Sequence, residues 1–100
     1  MELFVIRRRN VSKTPQELEA VAAKSRSVGD NEMSHKVRWI RSYAVKEADG
    51  TLGTVCIYQA VSPQAIREHA QRVGMPADEI VPVATTVIVR ADPHELEQAA

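Results

Sequence analysis

Three histidines, one cysteine and two tyrosines are the side chains of this 100-residue chain whose chemistry goes beyond charge and packing. His35 ends the polar segment Glu32-Met33-Ser34-His35, and His94 stands in a polar stretch close to the C-terminus. A neutral imidazole beside a carboxylate such as Glu32 suits a borderline divalent ion such as nickel. His69 lies on an apolar helical stripe, where a histidine serves either as a ligand or as a core residue bonded through one ring nitrogen. His35, His69 and His94 are the candidate metal ligands, in that order. The lone Cys56 excludes an internal disulfide and any CxxC motif. Inside a strand it reads as a small buried hydrophobe rather than a nucleophile. No Ser-His-Asp or Cys-His set can be assigned from spacing, because such groups need only meet in space.

The elements that position these residues are legible. Glu2 to Arg8 is apolar on both parities and too short for a helix, so it reads as a strand covered on both faces. Thr14-Pro15-Gln16-Glu17 supplies an N-cap, a proline at the first helical position and a capping-box glutamate. Leu18, Val21, Ala22 and Ser25 follow at helical spacing, and the helix ends between Val28 and Met33. Val37 to Lys46 and Leu52 to Ala60 are β-rich strands around Asp49-Gly50, a pair favoured in two-residue hairpin turns. Ser62-Pro63 opens a second helix with Ile66, His69, Ala70 and Val73 on its apolar stripe; Gly74 and Pro76 stop it. Glu79 to Arg90 reads as a fourth strand, with Pro82 suited to a sheet edge.

This order, β-α-β-β-α-β, is the split-βαβ or ferredoxin-like arrangement, an α+β fold. It predicts an antiparallel sheet in the order 4-1-3-2 with both helices on one face. Residues 1–91 form the domain and 92–100 a tail. His35 and His94 then fall at one end of the sheet, on opposite edges about 14 Å apart at ~4.8 Å per strand. The first and fourth strands are apolar on both faces, whereas a sheet wet on one side alternates. A homodimer with sheet against sheet, a dimeric α+β barrel, is therefore expected.

A two-residue Asp49-Gly50 turn pairs Tyr43 with Cys56, Arg41 with Tyr58 and Trp39 with Ala60. That places Trp39, Arg41, Tyr43, Cys56 and Tyr58 on the helix-free face, as a wall able to line a ligand pocket inside the dimer. The plainer alternative is cross-strand packing with Arg41 over Tyr58 as a cation–π pair. Arg7-Arg8-Arg9 reads as a solvated strand end.

Composition narrows the functional classes. Thirteen basic and thirteen acidic residues cancel, which argues against a nucleic-acid or anionic-membrane surface. Four aromatic residues are too few for an RNA-stacking sheet. No apolar run approaches the ~20 residues of a membrane span. The charges at the N-terminus follow its apolar stretch, the reverse of a signal peptide, so a cytoplasmic protein without an organic cofactor is expected.

Val37-x-Trp39-x-x-Ser42-Tyr43, Cys56-x-Tyr58-x-Ala60, Ala65-Ile66-Arg67-Glu68-His69-Ala70 and Gly74-Met75-Pro76-Ala77-Asp78-x-Ile80 occur in this order over nearly the whole chain. The sequence thereby resembles a family of small bacterial ferredoxin-like proteins of unknown function whose members are often labelled nickel-binding. The resemblance implies a dimer that binds divalent nickel, for sequestration or sensing. A competing reading is a cofactor-free dimeric α+β-barrel oxygenase or isomerase, in which Arg41 holds an anion and His69 or Tyr43 is the acid/base. A third is an interaction module without chemistry.

Overall fold

The structure, a computed structural model, describes residues 1–93. Its elements are β1 (Glu2–Ser12), α1 (Pro15–Ser27) with a π-helical turn after it (Val28–Glu32), β2 (Val37–Lys46), β3 (Leu52–Ala60), α2 (Pro63–Val73) and β4 (Glu79–Pro82). The strands form one antiparallel sheet in the order β2-β3-β1-β4. This is the expected ferredoxin-like α+β fold.

The caps form as the side chains dictate. Thr14 Oγ1 accepts from Glu17 N at 3.2 Å, and the Glu17 carboxylate returns to Lys13 N at 2.9 Å. Ser62 Oγ accepts from Ala65 N, and Gly74 closes α2 in the left-handed conformation. Period-2 alternation then decides the core. Phe4, Ile6 and Arg8 of β1 and Cys56, Tyr58 and Ala60 of β3 are buried beneath the helices, against Ile66, His69, Ala70 and Val73 of α2. α1 seats less deeply: Ser25 is its buried residue, and Leu18, Val21 and Ala22 are half-buried. No helix of the described residues is long and apolar enough to cross a membrane.

Three expectations change. β4 ends at Pro82 rather than Arg90 because its partner runs out. Phe4 pairs with Pro82, Val83 N donates to Leu3 O, and β1 itself begins at Glu2. Beyond that point the chain leaves the ladder and returns to β2, where Asp92 meets Arg41 and Tyr43. The β2–β3 turn is longer than two residues. Gly50 N donates to Glu47 O, Glu47 N donates to Thr51 O, and Lys46 pairs with Leu52. Gly50 takes φ +87° there, a left-handed conformation that a side chain resists. Finally, β2 carries an extra residue, Ile40, between the Trp39–Tyr58 and Arg41–Ile57 pairs.

Candidate functional site

That bulge at Ile40 divides the expected wall. Strand side chains alternate faces, so one inserted residue reverses every side chain beyond it. Trp39 pairs with Tyr58 on the helix side, its ring stacked at 6.1 Å between centroids and 13° between planes. Arg41 and Tyr43 pair with Ile57 and Val55 on the opposite, open side. Cys56 is buried under the helices beside Thr54, donating from Sγ to Oγ1 at 3.2 Å. The five residues do not share a face, and Arg41 does not cover Tyr58. The open-side pair is tied to Asp92. Tyr43 Oη donates to its carboxylate at 2.8 Å, which holds the phenol above its ordinary pKa, and Arg41 pairs with it at 3.5 Å.

The cation over Tyr58 is Arg8, with Cζ 5.8 Å from the ring centroid. The expectation of a solvated Arg7-Arg8-Arg9 end fails for its middle member, which is 1% exposed. Arg8 follows the parity of Phe4 and Ile6, and that alternation is the signal that could have found it. Its neighbours point elsewhere: Arg7 pairs with Glu47 at 2.6 Å and Arg9 with Glu79 at 2.6 Å. The Arg7 guanidinium holds the Glu47 carboxyl below its usual range. Arg8 Nη1 donates to Pro76 O at 2.7 Å, while its Nε and Nη2 are buried without a partner among the described residues.

From Arg8 a polar chain runs through the core. Tyr58 Oη shares a hydrogen bond with Ser25 Oγ at 3.1 Å, and Ser25 O accepts from His69 Nε2 at 2.9 Å. A carbonyl only accepts, so the ring proton sits on Nε2 and His69 Nδ1 is the bare acceptor, buried without a partner. Burial pushes the imidazole below its ordinary pKa; the Ser25 bond opposes this and the Arg8 charge adds to it. Burial also raises the Tyr58 phenol, against the Ser25 bond and the Arg8 charge.

Beside this cluster, between α1 and the sheet, lies a cavity of about 220 Å³. Leu18, Val21 and Ala22 roof it, Trp39, Cys56 and Tyr58 floor it, and Arg8 reaches its wall. The incomplete seating of α1 is the space this cavity occupies.

The candidate metal ligands are scattered. His35 is exposed in the turn before β2, His69 is 0% exposed, and His94 lies outside the described residues. Glu32 is engaged by Arg72 at 3.1 Å. Among the described residues, no three His, Cys, Asp or Glu side chains converge as an ion site, so those of one chain do not fit a nickel ion. The acid/base set of the enzyme reading does not assemble either: Arg41 and Tyr43 are on the open face and His69 under the helices.

Fold and site together define a small ferredoxin-like α+β protein with a buried arginine and a buried histidine at its centre. The chain belongs to the family of nickel responsive proteins described as SCO4226-like, whose profile matches residues 4–83. It is also similar to the crystal structure of SCO4226 from Streptomyces coelicolor A3(2). There 21% identity, 85% coverage of this chain, 99% coverage of that one and a TM-score of 0.67 show the shared fold. No curated protein matches the chain.

Proposed function

We propose that the protein is a non-catalytic, nickel-responsive homodimer that sequesters or senses the ion at a site completed between copies. The observation that carries this reading is the nickel responsive family profile spanning residues 4–83. The described part of one chain offers a single exposed imidazole, His35, and one nitrogen donor does not make a chelate. A second copy doubles every ligand through an isologous interface.

The open face of the sheet supplies a reason to dimerise. Val81 there is 51% exposed, and Val87, Ile88 and Val89 beyond it are 84%, 78% and 79% exposed. Burying such a face against its twin removes on the order of 1,600 Å², a standard stable interface.

Calorimetric titration with nickel, at pH 7.5 and 5.5, tests the proposal on wild type and on the His35→Ala, His69→Ala and His94→Ala variants. Binding is expected at the higher pH and weaker below about 6.5, because a protonated imidazole does not ligate. His35→Ala is expected to abolish it. Unchanged affinity in all three variants refutes histidine ligation, and no heat in the wild type refutes nickel binding.

A further inference from the structure

The residue inserted at Ile40 shapes the space under α1. It brings Trp39 and Ser42 to the same helix-facing side of β2, where unbroken alternation would set them on opposite sides. Bulges of this kind re-aim side chains beside binding and active sites. Trp39 Nε1 donates to Ser42 Oγ at 2.7 Å, which pins the indole on Tyr58 and keeps it from swinging into the cavity. The helix-side pairs Trp39–Tyr58, Ser42–Cys56 and Ala44–Thr54 then step down from two rings to four small side chains. Across from them stand Leu18, Val21 and Ala22, and about 220 Å³ lies between. We propose that this cavity binds a small neutral aromatic molecule, one substituted benzene ring in size.

The polar side chains of the wall decide the chemistry, because each is committed inside the fold. Tyr58 Oη is bonded to Ser25 Oγ, Cys56 Sγ to Thr54 Oγ1 and Trp39 Nε1 to Ser42 Oγ. Arg8 gives Nη1 to Pro76 O, and its other two nitrogens have no accessible surface. A ligand hydroxyl or carboxylate would therefore exchange its hydration for hydrocarbon, whereas a bare ring gives up nothing. A water needs about two to four polar partners, which this wall does not supply, so a ring displaces it at little cost. The Trp39 and Tyr58 rings and the Met75 thioether favour an aromatic occupant. A cavity of about 150 Å³ holds benzene, so 220 Å³ takes the ring with a small apolar substituent. Ala44 is exposed at the cavity margin and offers the way in. This site is independent of the nickel reading, since it uses none of the histidines.

Trp39, the single tryptophan, stands in the cavity wall and reports occupancy by its fluorescence. The full-length protein is titrated with toluene, with phenol and with benzoate, three molecules of similar size that differ in polarity and charge. Toluene is expected to saturate the signal and to bind about tenfold or more tighter than phenol, whose hydroxyl finds no partner in the wall. Benzoate is expected to leave Trp39 unchanged. Ala22→Phe, which fills the cavity from α1, should abolish toluene binding. Should that variant not fold, Ala44→Leu at the exposed rim carries the same expectation. Equal affinity for toluene and phenol, saturation by benzoate, or no saturation by toluene below about 3 mM overturns the proposal. So does full toluene binding by whichever of the two variants is folded.

Discussion

Replacing Arg8 by methionine should make the ligand-free protein more stable, although it deletes a hydrogen bond and a charge. The cost of keeping an ion in a protein interior is several kcal/mol unless its donors are paired. Here Nε and Nη2 are both unpaired, at about 1–3 kcal/mol each, and more when the group is charged. Against this stand one charge-assisted bond to Pro76 O, worth about 1.5–3 kcal/mol, and the cation–π contact with Tyr58, worth up to ~2 kcal/mol. The bond is the smaller loss of the two sides, because Pro76 is exposed and its carbonyl regains water. Methionine has similar length, no polar hydrogens and enough flexibility to fill the space. Swaps of buried ions for apolar side chains of similar volume commonly gain about 1–4 kcal/mol. We expect a gain of about 1–3 kcal/mol, hence a melting temperature raised by about 4 °C or more for a domain of this size. Urea unfolding should shift its midpoint with an unchanged slope. A loss of more than about 1 kcal/mol would instead mean that the guanidinium is fully satisfied in solution.

Other perturbations test other joints of the fold. Gly53→Ala places a methyl group 2.7 Å from the Arg8 backbone carbonyl and 2.8 Å from Arg7 Nη1, besides crowding the Glu47 carboxylate. It should cost about 2 kcal/mol in a thermal melt, and a silent substitution would show that β1 and β3 are not so closely apposed there. His69, whose folded pKa is depressed, contributes stability that is fully present above the ordinary histidine pKa of about 6.5 and lost as pH falls below it, because the unfolded chain then binds the extra proton. Stability measured between about pH 7.5 and 5 should therefore decline, and His69→Gln should flatten that slope; an identical slope would clear His69 of the effect. Light scattering at micromolar concentration should return twice the monomer mass, and Val81→Glu should return one. A monomeric wild type would remove the shared-site account.

Much of the fold was legible because its signals are local. Thr14-Pro15 and Ser62-Pro63 start the helices, Gly74 ends α2, and β2 and β3 run between the residues their composition marks. The site was less so, since it depends on register. The Ile40 bulge and the longer Glu47–Thr51 turn each shift pairing by a residue, and neither has a sequence mark strong enough to outweigh the Asp49-Gly50 pair. The same shifts exchanged Arg41 for Arg8 as the cation at Tyr58. The run Val87-Ile88-Val89 has strand composition but no neighbouring strand among the described residues, since the β1–β4 ladder ends at the Phe4–Pro82 pair. Composition states a preference for strand, and only topology decides whether a partner exists.

Whether His35 holds nickel between two copies is decided by anomalous diffraction at the nickel edge from crystals grown with the ion. A shared site predicts a peak within coordination distance of His35 with ligands from two chains, and none at His69. An ion bound wholly within one chain, a peak at His69, or no histidine-bound peak at all would contradict it.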